Sequence, residues 1–151
     1  GEIRDAKTAE LAARAALTGH LVFSTLHTDN AVESVMRLED LGVPPYLISA
    51  VLRGVISQRL MRRVCTECGG TGCEACAHTG GKGRIAVAEI FPIDEPFAEA
   101  VYARASPQKL YRQRKQKGLP SMYEDACAKM RQGIITPQEI ARVLGAPPVE
   151  A

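Results

Sequence analysis

The chain has 151 residues, 46% of them hydrophobic, enough for one ordinary core. A net charge of +2 is too small to imply a nucleic-acid partner, and no apolar run approaches the ~20 residues of a membrane span. There is no signal peptide, and four of the five cysteines fall within twelve residues, so a soluble, cytoplasmic protein with a metal site is expected rather than a secreted disulfide framework.

Gly1-Glu2-Ile3-Arg4-Asp5 is a charged opening in which Asp5 can cap a helix. Ala6–Leu17, rich in alanine, leucine and charge, is predicted as that helix, with Leu11, Ala15 and Ala16 on one face. After Gly19, Leu21–Leu26 is apolar apart from Ser24 and Thr25 and runs out into Thr28-Asp29-Asn30, which predicts a buried strand. A helix followed tightly by a strand is half of a βαβ unit, so a strand ending at Gly1-Glu2 would lie parallel to 21–26. Glu2 and His27 would then share the carboxyl edge of the sheet, where open α/β sheets place their ligands. His20 would stand at the opposite end of the same strand, roughly 20 Å from His27. Taken singly, a solvated Glu2 and a turn histidine at 27 are the plain alternatives.

Asp29 or Asn30 can cap a helix over Ala31–Leu41, striped by Val32, Val35, Leu38 and Leu41 and ended by Gly42. Pro44-Pro45 restarts a helix predicted from about Tyr46 to Ile56, with Leu47, Val51, Leu52 and Val55 buried. Arg37 and Arg53 read as solvated; Arg59, in Gln58-Arg59-Leu60 ahead of a strand, is the best structural candidate of the three arginines.

Residues 65–80 are an eight-residue unit written twice, CTECGGTG and CEACAHTG, with C-x2-C-x4-C-x2-C spacing. Two such knuckles point Cys65, Cys68, Cys73 and Cys76 at one centre, and four thiolates suit tetrahedral zinc in a closed, structural site. A ligand set using His78, or iron bound by four thiolates, fits the same spacing. The segment also resembles the cysteine-glycine repeat of the Hsp40 chaperone zinc region, which would imply a peptide-binding or interaction module. A nucleic-acid-binding ribbon would need basic residues with interleaved aromatics, which the knuckles lack.

Gly83-Arg84 leads into a strand over 85–91, with Ile85, Val87 and Glu89 alternating against Ala86, Ala88 and Ile90. Helices are predicted over Glu95–Arg104, Pro107–Lys117 and about Met122–Gln132. Thr136-Pro137-Gln138-Glu139 reads as a capping box opening a last helix to Leu144, closed by Gly145. The tail from 146 to 151 is expected to be disordered. Lys109, Arg112, Arg114, Lys115 and Lys117 read as a solvated helix face, with docking to an acidic partner or anionic lipid as the sharper reading. Cys127 reads as a small buried hydrophobe.

GEIRD-AKTAE, AALTGHLVFSTLHTDNA, QRLMRRVC, the cysteine pairs and the following GR together resemble the secretion ATPases that drive type II secretion and type IV pilus assembly, over nearly the whole chain. The resemblance implies an α/β fold in three parts: the C-terminal part of a RecA-like P-loop ATPase core (1–61), a four-cysteine zinc-binding subdomain (62–91) and a small helical C-terminal domain (92–145). It implies ATP, Mg2+ and Zn2+, with Glu2 polarising the attacking water, His27 near the terminal phosphate, and nucleotide-binding positions at Arg4, Asp5 and His20. It further implies a hexameric ring, an inner-membrane platform protein as partner, no nucleic acid, and peripheral association with the bacterial inner membrane. These motifs do not separate secretion from pilus assembly; retraction motors usually lack the cysteine insertion and fit less well. No G-x-x-x-x-G-K-[ST] loop is present, so these residues alone are not expected to hydrolyse ATP.

Overall fold

The computed structural model describes residues 1–146, so the expected tail lies outside the described residues except for Ala146, an exposed bend. The elements run α1 (Ala6–Leu17), α2 (Ala31–Asp40), α3 (Pro45–Val51), β1 (Gly54–Val64), a single 3-10 turn (Glu74–Cys76), β2 (Gly81–Pro92), α4 (Glu95–Tyr102), α5 (Pro107–Gln116), α6 (Met122–Arg131) and α7 (Pro137–Leu144). β1 and β2 pair in a two-stranded sheet. Gly54 lies against Phe91 and Pro92, and Gly81 against Arg63, so the strands run antiparallel. No described helix is long and apolar enough to cross a membrane.

Contacts divide the chain into two compact units, Gly1–Ser57 with Ile90–Leu119, and Gln58–Glu89 with the residues from Pro120 onward. The antiparallel hairpin returns the chain at 90 to the neighbourhood it left at 57, so α4 and α5 join the first unit while α6 and α7 join the hairpin.

In the first unit, Ile3, Val32, Val35, Ile48, Phe97, Val101 and Leu110 form the centre of the core. The Phe91 and Phe97 rings meet at 4.3 Å, and burial of a side chain such as Phe97 contributes roughly 2–3 kcal/mol. α1 has the predicted limits but turns a different face inward. Ala9 and Ala13 are buried while Leu11 is 60% exposed, because small side chains let α1 approach the core closely. Asn30, rather than Asp29, caps α2, its side chain accepting the Glu33 N–H at 2.9 Å.

Two predicted elements are corrected. Leu21–Leu26 is not a buried strand. It is an extended segment joined to Glu2 by one parallel bridge through Thr25, and Leu21 and Phe23 are 79% and 83% exposed. Among the described residues, only 1–3 line up beside it, and one bridge on one side cannot bury both faces. The helix predicted to Ile56 stops at Val51, because Leu52 is already extended and Val55, Ser57, Arg59 and Met61 begin the period-two alternation of β1. β2 keeps the predicted faces, with Val87 and Glu89 buried and Ile90 exposed, over a longer span.

In the second unit, Met61 and Val87 pack with Met122, Ala126, Ile135 and Ile140, and Cys127 lies against this cluster as expected of a small hydrophobe. The complete capping box sits on α6, where Ser121 and Glu124 satisfy each other's backbone N–H groups. The box predicted at α7 is only half made. Thr136 Oγ1 accepts the Glu139 N–H, but the Glu139 carboxylate turns away to accept the Arg62 N–H of β1 at 2.7 Å and two bonds from Arg142. Asp125 likewise accepts the Ala88 N–H of β2 at 2.9 Å and pairs with Lys129.

Glu139 is buried, and its bonds to Arg142, opposed by burial and helped by the Arg62 N–H, hold its carboxyl down to about 2 from an ordinary 4.5. A depressed native pKa stabilises the fold above about pH 4.5 and loses that contribution as pH falls towards 2, a difference of roughly 3 kcal/mol. Glu139→Gln is expected to lower stability by roughly 2–3 kcal/mol at pH 7 in urea unfolding and by almost nothing near pH 2. An equal loss at both pH values would show that the charge of Glu139 is not what holds α7 to β1.

Candidate functional site

Two clusters of chemically capable side chains stand out, one in each unit. The first is built on the only parallel pairing among the described residues. Ile3 N–H donates to Thr25 O at 2.9 Å and Thr25 N–H to Gly1 O at 3.3 Å, which aligns Glu2 with Thr25 and puts His27 at the same edge. Ile3 is anchored in the core, so Glu2, pointing the other way, reaches the edge. One Glu2 carboxylate oxygen, Oε2, pairs with Arg4 at 2.7 Å, and the other, Oε1, meets His27 Nε2. Each carboxylate oxygen is thus engaged once, Oε2 by Arg4 and Oε1 by His27, and each keeps a second lone pair for a further donor such as water. The Arg4 hydrogen bond, opposed by partial burial and helped by the charges of Arg4 and His27, holds the Glu2 carboxyl below its usual range. The edge therefore carries an ionised carboxylate flanked by an exposed guanidinium and an exposed imidazole.

The structure thus brings Glu2, Arg4 and His27 together. Asp5 adjoins them in sequence, but its carboxylate is spent at the start of α1, accepting the Thr8 N–H at 2.8 Å and the Thr8 hydroxyl at 3.2 Å. Those bonds lower its pKa. His20 stands beyond the other end of α1. Its N–H donates to Ala15 O at 3.1 Å, and its Nδ1 lies 3.1 Å from Thr18 Oγ1 and 3.3 Å from Ala15 O. Twelve helical residues rise about 18 Å, so His20 is not part of the Glu2 cluster. The pairing of Arg4 with Glu2 escaped the sequence reading; its only signal was i,i+2 spacing on an extended segment, which places both side chains on one face.

The second cluster is the cysteine hairpin joining β1 to β2. Cys65, Cys68, Cys73 and Cys76 bring their sulfurs within 4.8 Å of one another, with Cys65–Cys73 and Cys68–Cys76 at 3.9 Å and Cys73–Cys76 at 3.8 Å. Four sulfurs at the corners of a tetrahedron with ~2.3 Å metal bonds lie about 3.8 Å apart, so the donor set fits zinc in type and geometry. None of the four is in a disulfide. The Gly72 N–H donates to Cys68 Sγ and the Cys73 N–H to Cys76 Sγ, both at 3.2 Å. Burial pushes the Cys68 thiol up, but the N–H groups of Gly72 and Gly70 together with the neighbouring Cys65 and Cys73 thiols outweigh it and leave the thiol at about 6. Cys73, where burial dominates, is pushed up to about 11. His78 is exposed and outside the four-sulfur set.

The hairpin closes only because two glycines are where they are. A Cβ on Gly80 would lie 2.3 Å from Gly70 O, and one on Gly72 would lie 2.9 Å from His78 O. The last residue of each repeat therefore packs on the sixth residue of the other. Glu139 and Asp125, which tie α7 and α6 to the strands carrying this hairpin, were not foreseen as partners of backbone N–H groups, since sequence shows no register between distant elements.

Comparison with known proteins places both clusters in one context. The family described as Type II/IV secretion system protein matches residues 1–142. The type II secretion system protein HxcR of Pseudomonas aeruginosa is 44% identical over 95% of this chain, and the type IV pilus assembly ATPase PilB of Thermus thermophilus is 40% identical over 93%. The chain spans 32% and 19% of those two proteins. Among solved structures, the pilus retraction motor PilT with bound ADP superposes on 97% of this chain with a TM-score of 0.72 and 28% identity, through 38% of its own length. The α/β arrangement is therefore a portion of a P-loop ATPase fold, carrying four cysteines able to bind zinc. On the match across residues 1–142, the chain belongs to the type II/IV secretion system protein family.

Proposed function

We propose that this chain is the C-terminal portion of a hexameric ATPase motor that powers type II secretion or type IV pilus assembly by hydrolysing ATP. The observation that carries the reading is the Glu2 carboxylate held between Arg4 and His27 at the end of a parallel pairing. In the proposed mechanism a Glu2 carboxylate oxygen accepts a hydrogen bond from the attacking water and orients it in line with the terminal phosphate. His27 faces the same phosphate, and Arg4 keeps Glu2 ionised and aimed. Asp5 sets the start of α1 and is the further nucleotide-side position, whereas His20, a helix length from Glu2, would meet a nucleotide only at a different face. Mg2+, bound with the triphosphate, would supply charge neutralisation there, and a phosphate-cradling lysine loop would come from residues outside this chain. Leu21 and Phe23, exposed here, are read as the face on which the remainder of the ATPase sheet packs.

The four cysteines are assigned to structural Zn2+, which would hold a hairpin too short and polar to bury its own core. The whole motor is proposed to work in the cytoplasm, peripheral to the bacterial inner membrane, against a platform protein. The secretion and pilus relatives support this reading, whereas a knuckle-only peptide-binding module leaves the Glu2 edge without a role.

In the full-length protein carrying this chain, Glu2→Gln is expected to lower ATP turnover by roughly 10²–10⁴-fold with nucleotide binding retained. Failure of the unaltered protein to bind and hydrolyse ATP would overturn the motor reading. For the metal assignment, Gly80→Ala, which drives a Cβ into Gly70 O, is expected to leave protein purified with well under one zinc per chain. Full zinc content in that variant would show that the sulfur geometry does not depend on the close glycine packing.

A further inference from the structure

The two knuckles are the same eight-residue unit, but they are not built from equally tolerant residues. In each, the seventh-position threonine bonds back to the fourth-position cysteine. Thr71 N–H and hydroxyl reach Cys68 O at 3.2 and 2.8 Å, and Thr79 N–H and hydroxyl reach Cys76 O at 3.1 and 2.6 Å. In each, the fifth and sixth residues turn through the left-handed region. The first knuckle uses glycines there, Gly69 at φ +60° and Gly70 at φ +96°. The second uses Ala77 at φ +48° and His78 at φ +59°. A side chain disfavours this region, whereas glycine enters it freely.

A Cβ on Gly72 would lie 2.9 Å from His78 O, so the left-handed turn at 77–78 sits directly at the contact between the two repeats. Opening Cys73 and Cys76 releases two strained residues, while opening Cys65 and Cys68 releases none. From this asymmetry we propose that Cys73 and Cys76 are the labile half of the cluster, the pair that lets go first and through which a metal ion leaves or passes to a competing chelator. In that exchange the chelator's donor atoms replace the Cys73 and Cys76 thiolates on the metal, and the released thiolates take up protons or are trapped by an alkylating agent, with no change of the metal's oxidation state. The proposal rests on the assignment of zinc to these cysteines. It differs from what burial alone would give, because the half-buried thiols are one from each knuckle, Cys68 and Cys73, and the buried ones are Cys65 and Cys76.

The test is pulsed alkylation with N-ethylmaleimide during slow zinc extraction by EDTA. The zinc content of the full-length protein is measured first, and modified cysteines are assigned by mass spectrometry. With one zinc bound per chain, Cys73 and Cys76 are expected to be modified together, roughly tenfold or more ahead of Cys65 and Cys68. Replacing Ala77→Gly and His78→Gly together is expected to slow zinc loss and abolish the order. With zinc bound, modification starting at Cys65 and Cys68, modification starting at Cys68 and Cys73, or simultaneous reaction of all four overturns the inference alone. So does a double-glycine variant that keeps the order or fails to hold zinc. An unaltered protein that binds no zinc overturns the metal assignment, and the inference with it.

Discussion

A two-stranded ribbon leaves every second backbone N–H of each strand facing away from its partner, and each must find an acceptor or water. In the cysteine-bearing unit this constraint organises the helices. Glu139 takes the Arg62 N–H, Asp125 takes the Ala88 N–H, and Ile134 O takes the Val64 N–H at 2.8 Å. Each acceptor belongs to α6, α7 or the turn between them, so satisfying the ribbon and packing Met61 and Val87 against Met122, Ala126 and Ile140 are one event. Two of the three acceptors are carboxylates paired with cations on their own helices, which lets charge be half-buried without being left uncompensated.

The hairpin at the end of that ribbon faces the opposite problem. It has almost no apolar surface to bury, and its polar backbone bends back on itself within sixteen residues. Sulfur geometry and close glycine packing take the place of a core. Four sulfurs converge at distances suited to a tetrahedral metal, and the eighth residue of each repeat touches the backbone of the other. Metal affinity and folding of such a segment are a single equilibrium.

In the other unit the decisive contact is smaller. One parallel bridge between Glu2 and Thr25 aligns a carboxylate, an imidazole and a guanidinium that are otherwise scattered over residues 2 to 27. The Arg4 hydrogen bond above all, helped by His27, lowers the Glu2 pKa, and each carboxylate oxygen keeps a lone pair with which to orient a water. The site is thereby assembled by backbone pairing and tuned by side-chain charge.

Much of this was legible in the order of residues. The limits of α1, the cap at Asp5, the alternation of β2 and the convergence of four cysteines all depend on neighbours a few positions apart, and local sterics and hydrogen bonding decide them. The meeting of Glu2 with His27 followed from strand direction alone. Other features were decided only by tertiary packing. Leu11, Ala15 and Ala16 share a face of α1, but the face that packs is that of Ala9 and Ala13, whose small side chains allow close approach. The α3 helix was carried too far because Val55 and Ile56 fit either period until β2 paired with them. Glu139 was assigned to its own helix cap, where the local partner was available, and instead joined Arg62, 77 residues away. Short-range geometry is written in sequence spacing, whereas the choice among competing partners for one carboxylate or one apolar face depends on which distant element arrives, and that is settled only when the chain is folded.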